Sequence, residues 1–212
     1  MIPDFMRKQS GSEITRKTYN KIAKVWSERN FKSKKIKREI GIFSSMVKNG
    51  GDVLDAGCGP GRHSAMLLAN GYKVTSIDFS RSMINEARKR VPEGNFILMD
   101  MTRLKFPKNS FDGIWCFAAL LHVEKGKAAS VLEGFRKVIR PGGILGLSVK
   151  EGSGQGMEHN GSGLHIDDRR FFAFYTEREL VDLVKKAGFE VAKVRHKRLT
   201  NNWIIVFARN AK

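Results

Sequence analysis

From Asp52 onward, short apolar runs alternate with helical stripes, separated by turns of a few residues. Asp52–Ala56, Tyr72–Ile77, Asn95–Met99, Phe111–Phe117 and Ile144–Val149 read as strands. Arg62–Asn70, Arg81–Arg90 and Lys127–Ile139 carry helical spacing between them, the last stopped by Pro141-Gly142-Gly143. Thr176–Ala187 is a further helix, with Thr176 and Glu179 as a capping box and Gly188 at the C′ position. Val191–Arg195 and Trp203–Ala208 close the chain as two more strands. Such alternation demands an α/β architecture, a sheet covered by helices on both faces. Seven strands are expected.

Ahead of the first strand, residues 14–29 and Ile36–Val47 have helical spacing. They define a basic N-terminal extension or cap over residues 1–48, leaving residues 49–212 as the main domain. One segment interrupts the alternation. Residues 151–171 hold five glycines with His159, His165, Asp167 and Asp168, and lead into Phe171-Phe172-Ala173-Phe174-Tyr175. A long connection of this kind reads as a lid-like loop. The two histidines are spaced too loosely for a metal site to be expected.

Charge is the compositional outlier. The 212 residues carry 39 Lys and Arg against 21 Asp and Glu, a net +18. Residues 1–40 hold +8 and residues 185–212 hold +7, so the middle of the chain is nearly balanced. This marks either an anionic footprint such as RNA, or a solvated lysine-rich surface. No apolar run approaches the length of a membrane span, and the first residues lack the apolar stretch of a secretory leader. Two cysteines, Cys58 and Cys116, cannot build a disulfide framework. A cytoplasmic protein is expected.

The chemistry concentrates at Val53-Leu54-Asp55-Ala56-Gly57-Cys58-Gly59-Pro60-Gly61, which ends one strand and opens a helix. Glycines there let backbone approach a ligand closely. A dinucleotide fingerprint would continue from Gly57 and Gly59 to a glycine at position 62, but Arg62 stands there and the third glycine is Gly61. Asp55 beside the turn would repel a pyrophosphate and can hold an ammonium. A nicotinamide dehydrogenase is therefore disfavoured. Asp78, 21 residues after Gly57, can accept from both ribose hydroxyls, and Asp100 can accept from an adenine amino group. Each acid alone has an ordinary reading as a cap. Three at successive strand ends, beside the glycines, point to a nucleoside-bearing ligand without phosphates.

These residues, with Ile77-Asp78-Phe79-Ser80-Arg81-Ser82-Met83, Asp100-Met101, Ser110-Phe111-Asp112 and Arg140-Pro141-Gly142-Gly143, resemble the class I S-adenosylmethionine-dependent methyltransferases over about Tyr19 to Phe207. The resemblance implies a Rossmann-like, mostly parallel seven-stranded sheet, order 3-2-1-4-5-7-6, with the last strand antiparallel. It implies S-adenosylmethionine as cofactor, with Asp55, Gly57, Gly59 and Gly61 along its methionine end and Asp78 on the ribose. Met83, Asp100 and Met101 would line the adenine, Phe79 would adjoin the ribose acid, and Phe117 would face the methyl donor. Tyr19, Trp26 and the aromatic run 171–175 would roof the site.

The fourth strand ends Cys116-Phe117-Ala118-Ala119, lacking the Asn/Asp-Pro-Pro-aromatic tetrad of amino-group methylases. His122 either serves as a base near the acceptor or packs behind its loop. A small-molecule acceptor is the leading expectation, a tRNA or other RNA the alternative, and a non-catalytic cofactor- or RNA-binding module a remote one.

Overall fold

The computed structural model describes residues 10–32, 35–159, 168–199 and 201–211. Helix α1 (Gly11–Asn30) and helix α2 (Lys37–Ser44) precede strand β1 (Asp52–Ala56). Then follow α3 (Arg62–Ala69), β2 (Lys73–Asp78), α4 (Arg81–Arg90), β3 (Asn95–Leu98), β4 (Phe111–Phe117), α5 (Lys125–Val138) and β5 (Ile139–Lys150). The chain continues through β6 (Gln155–His159), β7 (Arg169–Ala173), α6 (Glu177–Lys186), β8 (Phe189–Arg198) and β9 (Asn202–Asn210). Seven strands form one sheet in the order β3-β2-β1-β4-β5-β9-β8. β1 to β5 pair in parallel, and β9 runs antiparallel to both β5 and β8. Counting only this sheet's strands, the order is the expected 3-2-1-4-5-7-6 with the last strand reversed.

Strand parity explains why the central strands are mostly apolar. Leu54, Ile114, Cys116, Leu145, Leu147, Val206 and Ala208 point to one face, where Leu132 and Phe135 of α5 and Leu180 and Val184 of α6 meet them. Their neighbours Val53, Trp115, Phe117, Ile144, Ile205 and Phe207 point to the other, against Ile40 and Phe43 of α2 and Leu67 of α3. A sheet buried on both faces favours apolar residues on either side, with polar ones admitted where they find partners, as Asp55 and Ser76 do. α2 packs into the core, with Phe43 fully buried edge-on to Trp115.

The segment expected as a loop is different. Gln155–His159 and Arg169–Ala173 pair antiparallel as a separate ribbon, with Met157 opposite Phe171. Its glycines obscure the strand period, but Phe171, Phe172 and Ala173 are buried and bind the ribbon to the core. His165 and Asp167 lie outside the described residues. α6 carries its predicted capping box, the Glu179 amide donating to Thr176 Oγ1 at 3.2 Å and the Thr176 amide to Glu179 Oε2 at 2.9 Å. Thr176→Ala should cost about 1 kcal/mol in urea unfolding with an unchanged m-value. No described helix is long and apolar enough to cross a membrane.

The basic C-terminal flank has a structural place. Lys193, Arg195, Lys197 and Arg198 lie on β8, the outer strand of the sheet. Charges on an edge strand discourage pairing with another chain. Lys197 Nζ also meets the buried Glu39 at 2.9 Å and the Lys35 carbonyl.

Candidate functional site

At the carboxyl edge of β1 the chain turns sharply through Gly57, Gly59 and Gly61, all at positive φ. The amides of Gly57 and Cys58 both donate to the Ile77 carbonyl, at 2.8 and 2.9 Å. Asp78 then fastens the turn. Its Oδ2 accepts from the Gly59 amide at 2.9 Å and its Oδ1 from the Ser80 amide at 2.8 Å. Ser80 in turn caps α4 through the Met83 amide, at 3.2 Å. Burial pushes the Asp78 carboxyl up to about 6 against the pull of these amides. A β-carbon on Gly57 would lie 2.3 Å from Cβ of Ala119, whereas one on Gly59 would meet nothing within 4 Å. The first glycine permits packing; the second borders open space.

That space is a cavity of about 680 Å³, within the ~300–1,000 Å³ range of small-molecule sites. Its walls include Gly57, Gly59, Asp78, Phe79, Met83, Asp100, Met101, Phe117, His122 and Tyr19. Ten of the twelve residues singled out from the sequence therefore meet at one site. Asp55 and Gly61 do not line it. Asp55 has the same parity as Val53 and points under α3, where its buried Oδ2 accepts from Ser64 Oγ at 2.7 Å; Ser64 accepts from Ser76 at 3.0 Å. Burial raises Asp55 to about 7. Gly61 faces Phe96 and Ala87, leaving room for α3 to pack on its neighbours. Asp100 uses Oδ1 to cap the turn after β3, accepting from Thr102 at 2.8 Å.

The other half of the cavity is closed by α1 and β7. Thr18 Oγ1 donates to the Arg169 carbonyl and Thr15 Oγ1 accepts from the Phe171 amide, both at 2.8 Å. Asn20 Oδ1 accepts from Ser80 Oγ and the Ser82 amide, tying the same helix to α4. His122 lies 2.7 Å from the Phe171 carbonyl through Nδ1, which must therefore carry the proton. Nε2 is left to accept from the Tyr19 hydroxyl at 2.8 Å, and Tyr19 accepts from Arg170 Nη1 at 3.2 Å. Burial and the nearby cations Arg170 and Lys150 hold His122 down at about 3. Its basic nitrogen is engaged and its ring neutral.

Arg170, Lys150 and Ser148 escaped the sequence reading, and Ala118 entered it only through the missing tetrad. Ala118 follows β4 with φ 55°, an uncommon conformation for a side-chain-bearing residue, and its amide donates to the Ser148 carbonyl and hydroxyl. Arg170 carries no motif at all, because its partners Tyr19 and Trp26 are remote in sequence.

Residues 53–143 match the family model described as a methyltransferase domain. Over this stretch the chain resembles a methyltransferase domain. Among curated relatives, malonyl-[acyl-carrier protein] O-methyltransferase of Salmonella typhimurium is 34% identical over 97 residues, 46% of this chain and 38% of that protein. Demethylmenaquinone methyltransferase of Beutenbergia cavernae is 40% identical over 99 residues, 47% and 40% of the two chains. The chain thus spans well under half the length of these relatives. Among solved structures, the domain superposes on Burkholderia thailandensis 1,6-didemethyltoxoflavin-N1-methyltransferase, bound to its substrate and S-adenosylhomocysteine. The TM-score is 0.74 at 22% identity, covering 95% and 87% of the two chains. The [4+2]-cyclase SpnF superposes with TM-score 0.72 at 16% identity, covering 96% and 97%. At these identities the likeness concerns the fold.

The residues at the glycine turn fit S-adenosylmethionine, the cofactor of this class. Open space over Gly59, a carboxylate at Asp78 with lone pairs beyond its two amide bonds, and apolar Met83 and Met101 suit a ribose and adenine without phosphates.

Proposed function

We propose that this protein transfers a methyl group from S-adenosylmethionine to a small-molecule acceptor. The observation carrying the reading is the Asp78 staple beneath Gly59, opening on a cavity that α1 and β7 enclose. When bound, the sulfonium supplies an electrophilic methyl group, its sulfur keeping the electron pair as the carbon–sulfur bond breaks. Asp78 would accept from the ribose hydroxyls, Met83 and Met101 would pack on the adenine, and Phe117 would wall the methyl end; all four line the cavity. Phe117 is held for this task by a stack on Trp115, 3.6 Å between centroids. Aromatic walls and the enclosing helix exclude water and align the acceptor.

His122 acts as a positioning residue in this reading. A ring held at about 3, with Nε2 occupied by Tyr19, is a poor base near neutrality. The acceptor therefore presents a nucleophile that is already unprotonated, or loses its proton to solvent. Free, buried Cys58 and Cys116 agree with a reducing, cytoplasmic setting.

RNA is the second reading, favoured by the +8 and +7 flanks. The edge-strand place of Lys193, Arg195, Lys197 and Arg198 supplies another reason for these four charges of the C-terminal flank. Labelled cofactor should mark the metabolite fraction of a cell extract and leave the RNA fraction unlabelled. Label in tRNA, with submicromolar binding that persists at physiological salt, would reverse the assignment.

A further inference from the structure

We infer that the acceptor carries an oxyanion, a carboxylate in the first instance, and that Arg170 on β7 is the residue that selects it. The inference rests on the methyl-transfer reading above and names the substrate class of the same cavity. Arg170 is 1% exposed and is a wall residue of the cavity. Its Nη1 donates to Tyr19 and its Nε to the Asp168 carbonyl at 3.4 Å, but its Nη2 has no hydrogen-bond partner among the described residues. The guanidinium is enclosed by aromatic rings, 5.0 Å from the centroid of Trp26, 5.2 Å from Tyr19 and 5.7 Å from Phe172.

Such a cage stabilises a cation and fixes its plane. It supplies no counter-charge. Glu158, the register partner of Arg170 across the ribbon, is exposed and makes no ion pair with it among the described residues, and the Asp168 carboxylate lies 3.7 Å from His159. A second cation, Lys150, lines the same cavity with Nζ 3.9 Å from the Phe172 centroid. Two cations at one aromatic wall, one with a buried unpaired donor, constitute half of a charge-assisted bond. An anionic acceptor group completes it. Glu158 acts on Lys150 from the exposed side of the ribbon, while the neutral His122 and the phenol of Tyr19 bring no negative charge to Arg170, and Asp78 serves the cofactor half.

The test uses the full chain with S-adenosylhomocysteine present and a panel of small carboxylic acids, each paired with its primary amide and with the matching phosphate ester. Binding is read by Trp26-sensitive fluorescence and by the melting temperature. Acids should bind at least tenfold more tightly than their amides, and R170M should abolish that preference while cofactor affinity stays within about threefold. R170K should keep part of it. Preference for the phosphate ester over both would keep the oxyanion and assign it to phosphate. Equal or absent binding of acid and amide across the panel, or an R170M protein that still discriminates, overturns the inference. Cofactor binding is measured separately by calorimetry. Its absence would sink the methyltransferase reading itself, whereas its presence without anion preference sinks only this one.

Discussion

Asp78→Ala should weaken S-adenosylmethionine binding by roughly 1–3 kcal/mol in calorimetry, about 5- to 150-fold, because the ribose hydroxyls lose a charged acceptor. The same change strips the Gly59 and Ser80 amides of their partner. A melting temperature lower by a few degrees should accompany the lost affinity. The wild-type protein should also bind pH-dependently. With Asp78 at about 6, the carboxylate is ionised above that pH and protonated below it. Affinity should hold above pH 7 and fall below 6, approaching tenfold per pH unit if only the ionised form binds. Asp78→Asn should flatten that break. An affinity profile that stays level from pH 5 to 8 in the wild type would remove Asp78 from the ribose role.

The two glycines of the turn should separate stability from binding. Gly57→Ala combines φ 82° with a contact of 2.3 Å to a β-carbon that has no freedom to move aside. Left-handed strain and overpacking together should cost about 2–5 kcal/mol in chemical unfolding. Gly59→Ala has φ 54° and no atom near the new methyl group, so its folding cost should be nearer ~1 kcal/mol. Its methyl group instead occupies the space kept for ligand. Cofactor affinity should fall tenfold or more in a protein that still unfolds cooperatively. Equal stability losses for the two variants would show that both glycines serve packing alone.

The sheet was legible because its central strands bury both faces, leaving mostly apolar runs whose ends coincide with turns. Parity was the harder matter. Asp55 and Asp78 both end a strand beside the same glycines, yet Asp55 points beneath α3 to Ser64 while Asp78 reaches the cavity. Strand-end position alone does not distinguish these directions. The ribbon of β6 and β7 was hidden by Gly152, Gly154 and Gly156, which suggest a loop although the second strand is aromatic and buried. Arg170 was invisible for a different reason. Its meaning lies in Tyr19 and Trp26, more than 140 residues earlier, and in the donor it leaves unpaired. Local pattern carries no trace of such a contact.

The double attachment of α1 has a mechanical consequence. Asn20 binds the cofactor half at Ser80 and Ser82, while Thr15 and Thr18 bind the acceptor half at Phe171 and Arg169. These three side chains occupy six consecutive positions, less than two turns of one rigid helix. The helix is thus a hinge pin common to two doors. If the proposed methyl transfer holds, a fluctuation that frees the helix from β7 should also loosen its grip on α4, opening both halves of the cavity together.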